Sequence, residues 1–157
     1  MARRSRVVKA APPRVFDALL QAENFAYWVV GSKHVRGVDP HWPEVGSAFH
    51  HAIGLGPLHI EDHTEILEVD RPRRLVMSAR MGPAGSAVVR LLLQPLGRRR
   101  TRVIMEEEPE AGIIARLPRR FLHRAVGIRN ARSLRRLRRL VENPESVPAR
   151  RRRVRPG

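Results

Sequence analysis

The chain has 157 residues and no cysteine, a length that suits one domain burying roughly 70% of its unfolded surface. The missing cysteine excludes disulfides, thiolate catalysis and sulfur-ligated zinc. Lysine and arginine outnumber aspartate and glutamate 31 to 15, a balance that suits nucleic acid or anionic membrane as partners. Only Lys9 and Lys33 are lysines, an imbalance that a GC-rich genome also produces with no functional content. No apolar run approaches the ~20 residues of a membrane span. The opening "MARRSRVVKAAPPRV" lacks the apolar segment of a signal peptide, so a soluble, cytoplasmic protein is expected.

In chain order, "RRSRVVKA" reads as a first strand ending at Pro12-Pro13, which suit the first turn of a helix because its N–H groups lack intrahelical partners anyway. Val15, Phe16, Leu19 and Leu20 follow at helical spacing, and Phe25 and Trp28 mark a second short helix stopped at Gly31. Six period-two segments come next: "KHVRGVD", "GSAFHHAI", "PLHIEDHTEILEV", "RRLVMSARM", "SAVVRLLLQPL" and "TRVIMEEE". With short turns they predict an antiparallel meander, seven strands counting the first. From Pro118 to Val141 the period changes to 3.6, with Leu122, Val126, Asn130, Leu134, Leu137 and Val141 on one stripe.

This order predicts an α+β domain over 1–145, its curved sheet burying an apolar face on the last helix. Residues 116–139 hold ten arginines and residues 150–155 five more. The end, "ARRRRVRPG", has no apolar periodicity, and 146–157 is expected to be a disordered arginine-rich tail.

The segments "PPRVFDALLQAENFAYWV", "WPEVGSAFHHAIGLGPL", "RPRRLVMSARMGPAGSAVVRLLLQPLGRRRTRVIMEEEP" and "RNARSLRRLRRL" resemble the SRPBCC, or START-like, superfamily, and within it the bacterial polyketide cyclase/dehydrase-like proteins. The resemblance covers about residues 5 to 142. It implies a helix-grip fold whose sheet wraps the long helix and leaves a cavity for apolar ligands. Members include cyclases and lipid carriers, so the fold alone does not decide among functions.

Five of the seven histidines lie in "HWPEVGSAFHHAIGLGPLHIEDHTEILEVD", residues 41–70. With "GLGP" as the turn, cross-strand partners sum to 111, and Phe49, His51, Ile53, Leu58, Ile60, Asp62 and Thr64 share one face, expected to be interior. His50, Ala52, His59, Glu61 and His63 share the other. "HIEDH" is not a helical zinc motif, because four residues of strand span about 13 Å. His50 opposite Glu61, with His59 and His63, is expected to hold at most a stray metal. His51 and Asp62 become diagonal neighbours, a candidate acid/base pair in which the carboxylate would orient the ring. A buried histidine satisfied by a polar neighbour is the plainer reading.

Glu107 shares a face with Val103 and Met105 and would need a partner, Arg129 or Asn130, since an unpaired buried carboxylate is costly. The expected cavity lining is Trp28, Phe49, Thr64, Met77, Val89, Met105, Glu107, Arg129 and Asn130. "GLGPLH" is not a nucleotide loop, and no phosphate-binding loop or GxSxG elbow occurs. No cofactor or metal is expected.

Three functions compete, in this order. The first is a carrier or sensor of a small hydrophobic, lipid- or polyketide-like molecule. The second is a cyclase/dehydrase-type enzyme in which His51 takes a proton beside a ketone. The third is a binder of nucleic acid or an anionic surface through the arginine-rich helix and tail, weakened by an aromatic content of 4%.

Overall fold

The computed structural model describes residues 1–55 and 58–147, with side chains except at 33, 34, 53–55, 58–61 and 114. The strands are β1 (Ala2–Val8), β2 (Ser32–Val38), β3 (Ala48–Leu55), β4 (Leu58–Asp70), β5 (Arg74–Arg80), β6 (Ser86–Pro95) and β7 (Thr101–Ala111). They form one seven-stranded sheet in the order β1-β7-β6-β5-β4-β3-β2, antiparallel at every pairing. The meander and the return of β1 to the edge beside β7 match the expected α+β helix-grip architecture.

The helices are α1 (Pro12–Leu20), α2 (Phe25–Trp28), α3 (Ile113–Arg116) and α4 (Arg119–Glu142). Pro12 and Pro13 occupy the first turn of α1, and Val15, Phe16, Leu19 and Leu20 are buried at the expected spacing. Helix α4 buries Gly127, Asn130, Ser133, Leu134, Leu137, Leu140 and Val141, the lower two thirds of the predicted stripe. It packs mainly on β1, then on α2, α1 and β7. Its apolar residues join Leu75, Leu91, Val103 and Met105 in one core, so the sheet and the helix each cover the other's apolar face.

Two boundaries differ from expectation. Helix α3 was not foreseen, since its four residues carry no readable period. At the other end, Pro144–Ser146 form a short turn and Val147 is 4% exposed within the core. The packed body therefore reaches past 145, while the tail expectation for 148–157 lies outside the described residues.

The β3–β4 register also differs. Leu55 pairs with Leu58 and His51 with Asp62, so partners sum to 113 rather than 111, because Gly56 and Pro57 alone separate the strands. Those two residues of the expected "GLGP" turn lie outside the described residues. A change of two in the sum preserves the parity of the pairing, so Phe49, His51 and Thr64 still share one face. It does move partners: His51 stands directly opposite Asp62, and His50 opposite His63 instead of Glu61.

Candidate functional site

Strand alternation sends Phe49, His51 and Thr64 to the concave side of the sheet, all buried, while His50 on the alternate position is exposed. There, facing α2 and α4, lies a cavity of about 100 Å³. Of the expected lining, Trp28, Phe49, Thr64, Met77, Val89, Met105, Glu107 and Arg129 all border it, as does His51. Asn130 does not; it is fully buried one residue along α4.

The structure adds Phe25, Val29 to Ser32, Ala79, Met81 and Ala87. Three of these were legible by parity: Ala79 and Met81 repeat the face of Met77, and Ala87 that of Val89. Phe25 lies one helical turn before Trp28.

One wall is aromatic. The Phe25 ring lies 4.3 Å from Phe49 and 5.2 Å from Trp28, centroid to centroid. Trp42 meets Phe49 edge-on at 5.1 Å and is anchored by its indole N–H, which donates to the Leu20 carbonyl at 2.6 Å. Rings that brace one another in tilted and edge-on contacts make a stiff wall.

His51 stands beside this wall, its ring 5.2 Å from Phe49. Its Nε2 lies 3.0 Å from the Thr64 hydroxyl, and its Nδ1 has no hydrogen-bond partner among the described residues. Burial, followed by the positive fields of His63, Arg36 and His50, lowers its pKa from 6.5 to about 4. The ring is therefore neutral at physiological pH.

The expected acid/base pairing with Asp62 does not form in this geometry: the ring's partner is Thr64. Asp62 instead accepts the backbone N–H of His63 through Oδ1 at 2.6 Å, and its Oδ2 has no hydrogen-bond partner among the described residues. It borders a separate depression with Ser78 and Arg80 rather than the cavity. Burial raises its pKa from 3.8 to about 6, opposed by the His63 N–H and by Arg80.

Across the cavity, Glu107 is 4% exposed and bonds to Nη2 of Arg129. The same nitrogen donates to Asn130 Oδ1 at 3.1 Å. This is the Glu107–Arg129 contact expected of a carboxylate that could not stay buried alone, and the pair also forms part of the cavity wall.

On the outer face, His50 Nε2 lies 3.6 Å from Asp39 Oδ1, and the His50 and His63 rings are 6.0 Å apart. Among the described residues no three metal-ligating side chains gather. The side chain of His59 lies outside them.

Chemically, the cavity is an apolar space with a few polar atoms left over. Trp28 Nε1, Ser32 Oγ, His51 Nδ1 and Arg129 Nε belong to lining residues and lack hydrogen-bond partners among the described residues. Its volume is smaller than the ~300–1,000 Å³ typical of sites for drug-sized ligands, and nearer the ~150 Å³ of an apolar cavity that admits benzene.

The family described as "Polyketide cyclase / dehydrase and lipid transport" matches residues 2–142. No curated protein matches the chain. Solved structures do: protein CV1439 from Chromobacterium violaceum is 24% identical, with a TM-score of 0.66 over 89% of this chain and 95% of that one. A conserved protein from Geobacillus kaustophilus is 15% identical, with a TM-score of 0.69 over 89% and 93%. The di-domain ARO/CYC StfQ of the steffimycin biosynthetic pathway is 17% identical, with a TM-score of 0.67 over 93% of this chain and 46% of its own. At these identities the likeness shows the fold. The match across residues 2–142 shows the family: the chain belongs to the SRPBCC-type polyketide cyclase/dehydrase and lipid transport family.

Proposed function

We propose that the protein binds a small, largely apolar molecule in the cavity between the sheet and α4, as a carrier or sensor. One observation carries this reading: an apolar cavity braced by Phe25, Trp28 and Phe49 retains polar atoms on Trp28, His51 and Arg129 that find no hydrogen-bond partner among the described residues. Unmet buried donors and acceptors cost about 1–3 kcal/mol each. A ligand carrying one or two polar groups on a compact apolar body would satisfy some of them. The volume suits a single ring or a short chain; a polyketide-length molecule would require α2 or the β2–β3 edge to move outward.

Native mass spectrometry of the protein purified from its own host tests this. A retained small molecule, absent in Ala87→Leu, is expected, because Ala87 borders the cavity and three added carbons would fill much of it. A wild-type spectrum with no bound mass, or one that Ala87→Leu leaves unchanged, counts against it.

A second reading, a cyclase/dehydrase-type enzyme, draws on the unpartnered His51 Nδ1 at the cavity wall. Proton transfer is most efficient when the pKa lies near the working pH, and burial holds His51 near 4, so carriage ranks first. His51→Gln separates the two. A carrier would change ligand affinity about fivefold, the ~1 kcal/mol of one hydrogen bond; an enzyme would lose ~10²–10⁴ in turnover with binding nearly intact.

A further inference from the structure

From the outward side of α4 we infer a docking surface for an anionic lipid bilayer. No acidic residue occurs between Glu110 and Glu142, while residues 116–139 hold ten arginines. Arg129 and Arg138 reach carboxylates and Arg136 donates to the Tyr27 carbonyl. Among the described residues no ion pair engages the remaining seven. Positive charge of this density, unpaired within the fold, attracts a partner that supplies phosphate-like groups.

The stripe is not made of charge alone. At 100° per residue, Phe121, Ile128, Arg132, Arg135 and Arg139 fall within about 40° of one line, opposite the buried Asn130, Leu134, Leu137 and Val141. All five are exposed, Phe121 at 61% and Ile128 at 47%. The preceding segment adds Ile113 and Leu117, exposed at 63% and 48%. The stripe thus runs from apolar at its N-terminal end to cationic at its C-terminal end, where Arg132, Arg135, Arg136 and Arg139 share a depression. Arg120 lies 4.7 Å over the Phe121 ring, so charge reaches the apolar end as well.

A nucleic acid would meet the arginines but offers nothing to Ile113, Leu117 and Ile128. A bilayer surface meets both, with phosphates for the guanidiniums and the acyl boundary for the apolar side chains. Ile128 adjoins Arg129, whose side chain borders the cavity. One helical segment therefore has the cavity on one side and the docking surface on the other, which would suit a carrier collecting its ligand from lipid. The docking inference stands without that ligand.

Vesicle flotation of the full chain provides the test. Phosphatidylcholine vesicles alone are expected to leave the protein unbound; vesicles with equal phosphatidylglycerol should carry it, less so as salt rises. Phe121→Ser/Ile128→Ser should lower partitioning at least about tenfold, through lost apolar burial. Arg132→Gln/Arg135→Gln/Arg139→Gln should lower it comparably and flatten the salt dependence. Circular dichroism and thermal melting should match wild type in both variants, since every altered side chain is exposed. Three outcomes overturn the inference: no flotation with anionic vesicles, flotation that neither variant reduces, or duplex DNA that competes the protein off the vesicles while the apolar variant binds as well as wild type.

Discussion

His51 and Asp62 stand opposite each other on β3 and β4, yet burial drives their titrations in opposite senses, which makes the pH dependence of stability a sharp test of the site's geometry. His51 has a folded-state pKa of about 4 against an ordinary 6.5. Between those values the unfolded chain binds a proton that the folded chain refuses, so this residue's contribution is present above pH 6.5 and is lost as pH falls through about 4. At 1.36 kcal/mol per pH unit, the loss amounts to roughly 3 kcal/mol. Asp62 has a folded-state pKa of about 6 against 3.8. Here the folded chain holds the extra proton, so its contribution is present below 3.8 and is lost as pH rises through about 6, again by up to ~3 kcal/mol. In wild type the two terms nearly cancel.

Single variants uncouple them. Urea unfolding at pH 4 and pH 7 should give the stability difference, ΔG at pH 7 minus ΔG at pH 4, for each protein. Relative to wild type, His51→Gln should reduce that difference and Asp62→Asn should enlarge it, each by roughly 2–3 kcal/mol, or about 4–12 °C in relative Tm for a domain of this length. Shifts of the same sign, or no shift in either, would refute the burial assigned to these two side chains.

Other substitutions probe the frame. Gly85 has φ +125°, and a Cβ there would lie 1.8 Å from the Ala111 carbonyl oxygen, so Gly85→Ala should destabilise by more than about 3 kcal/mol in urea unfolding, if the protein folds at all. Gly127→Ala should be neutral or stabilising by up to ~1 kcal/mol: its Cβ meets only the flexible end of Arg4, 2.6 Å away, while alanine favours the helix. Arg129→Met strands the buried Glu107 carboxylate and should cost about 3–5 kcal/mol. Adding Glu107→Met should recover most of it, a coupling that a double-mutant cycle measures directly.

The parity of the strands was legible because period two survives any turn, and so Phe49, His51, Thr64 and Glu107 reach the concave face as expected. Register was not, since it depends on how many residues the β3–β4 turn consumes: four were expected in "GLGP", whereas Leu55 already pairs with Leu58. This is why His51 and Asp62 read as diagonal neighbours and stand opposite instead. The pairing of His51 with Thr64 rather than Asp62 is a rotamer choice that spacing does not encode. Helix α4 announced its buried side through Leu134, Leu137 and Val141, but the outward setting of Phe121 and Ile128 was obscured by Leu122 and Val126 beside them. Cavity volume is the least legible quantity, being a residue of packing among side chains from six strands and two helices.

The central claim is that this cavity takes a small apolar molecule, and calorimetric titration with benzene and then phenol tests it most directly. Saturable one-to-one binding is expected, with Kd between about 10 µM and 1 mM, or roughly −7 to −4 kcal/mol. Phenol should bind more tightly than benzene, because its hydroxyl can meet one of the unpartnered atoms on Trp28, His51 or Arg129. Ala87→Leu should abolish both while retaining the wild-type melting transition to within a few degrees. No saturable heat with either probe, or equal binding to Ala87→Leu, would contradict the claim.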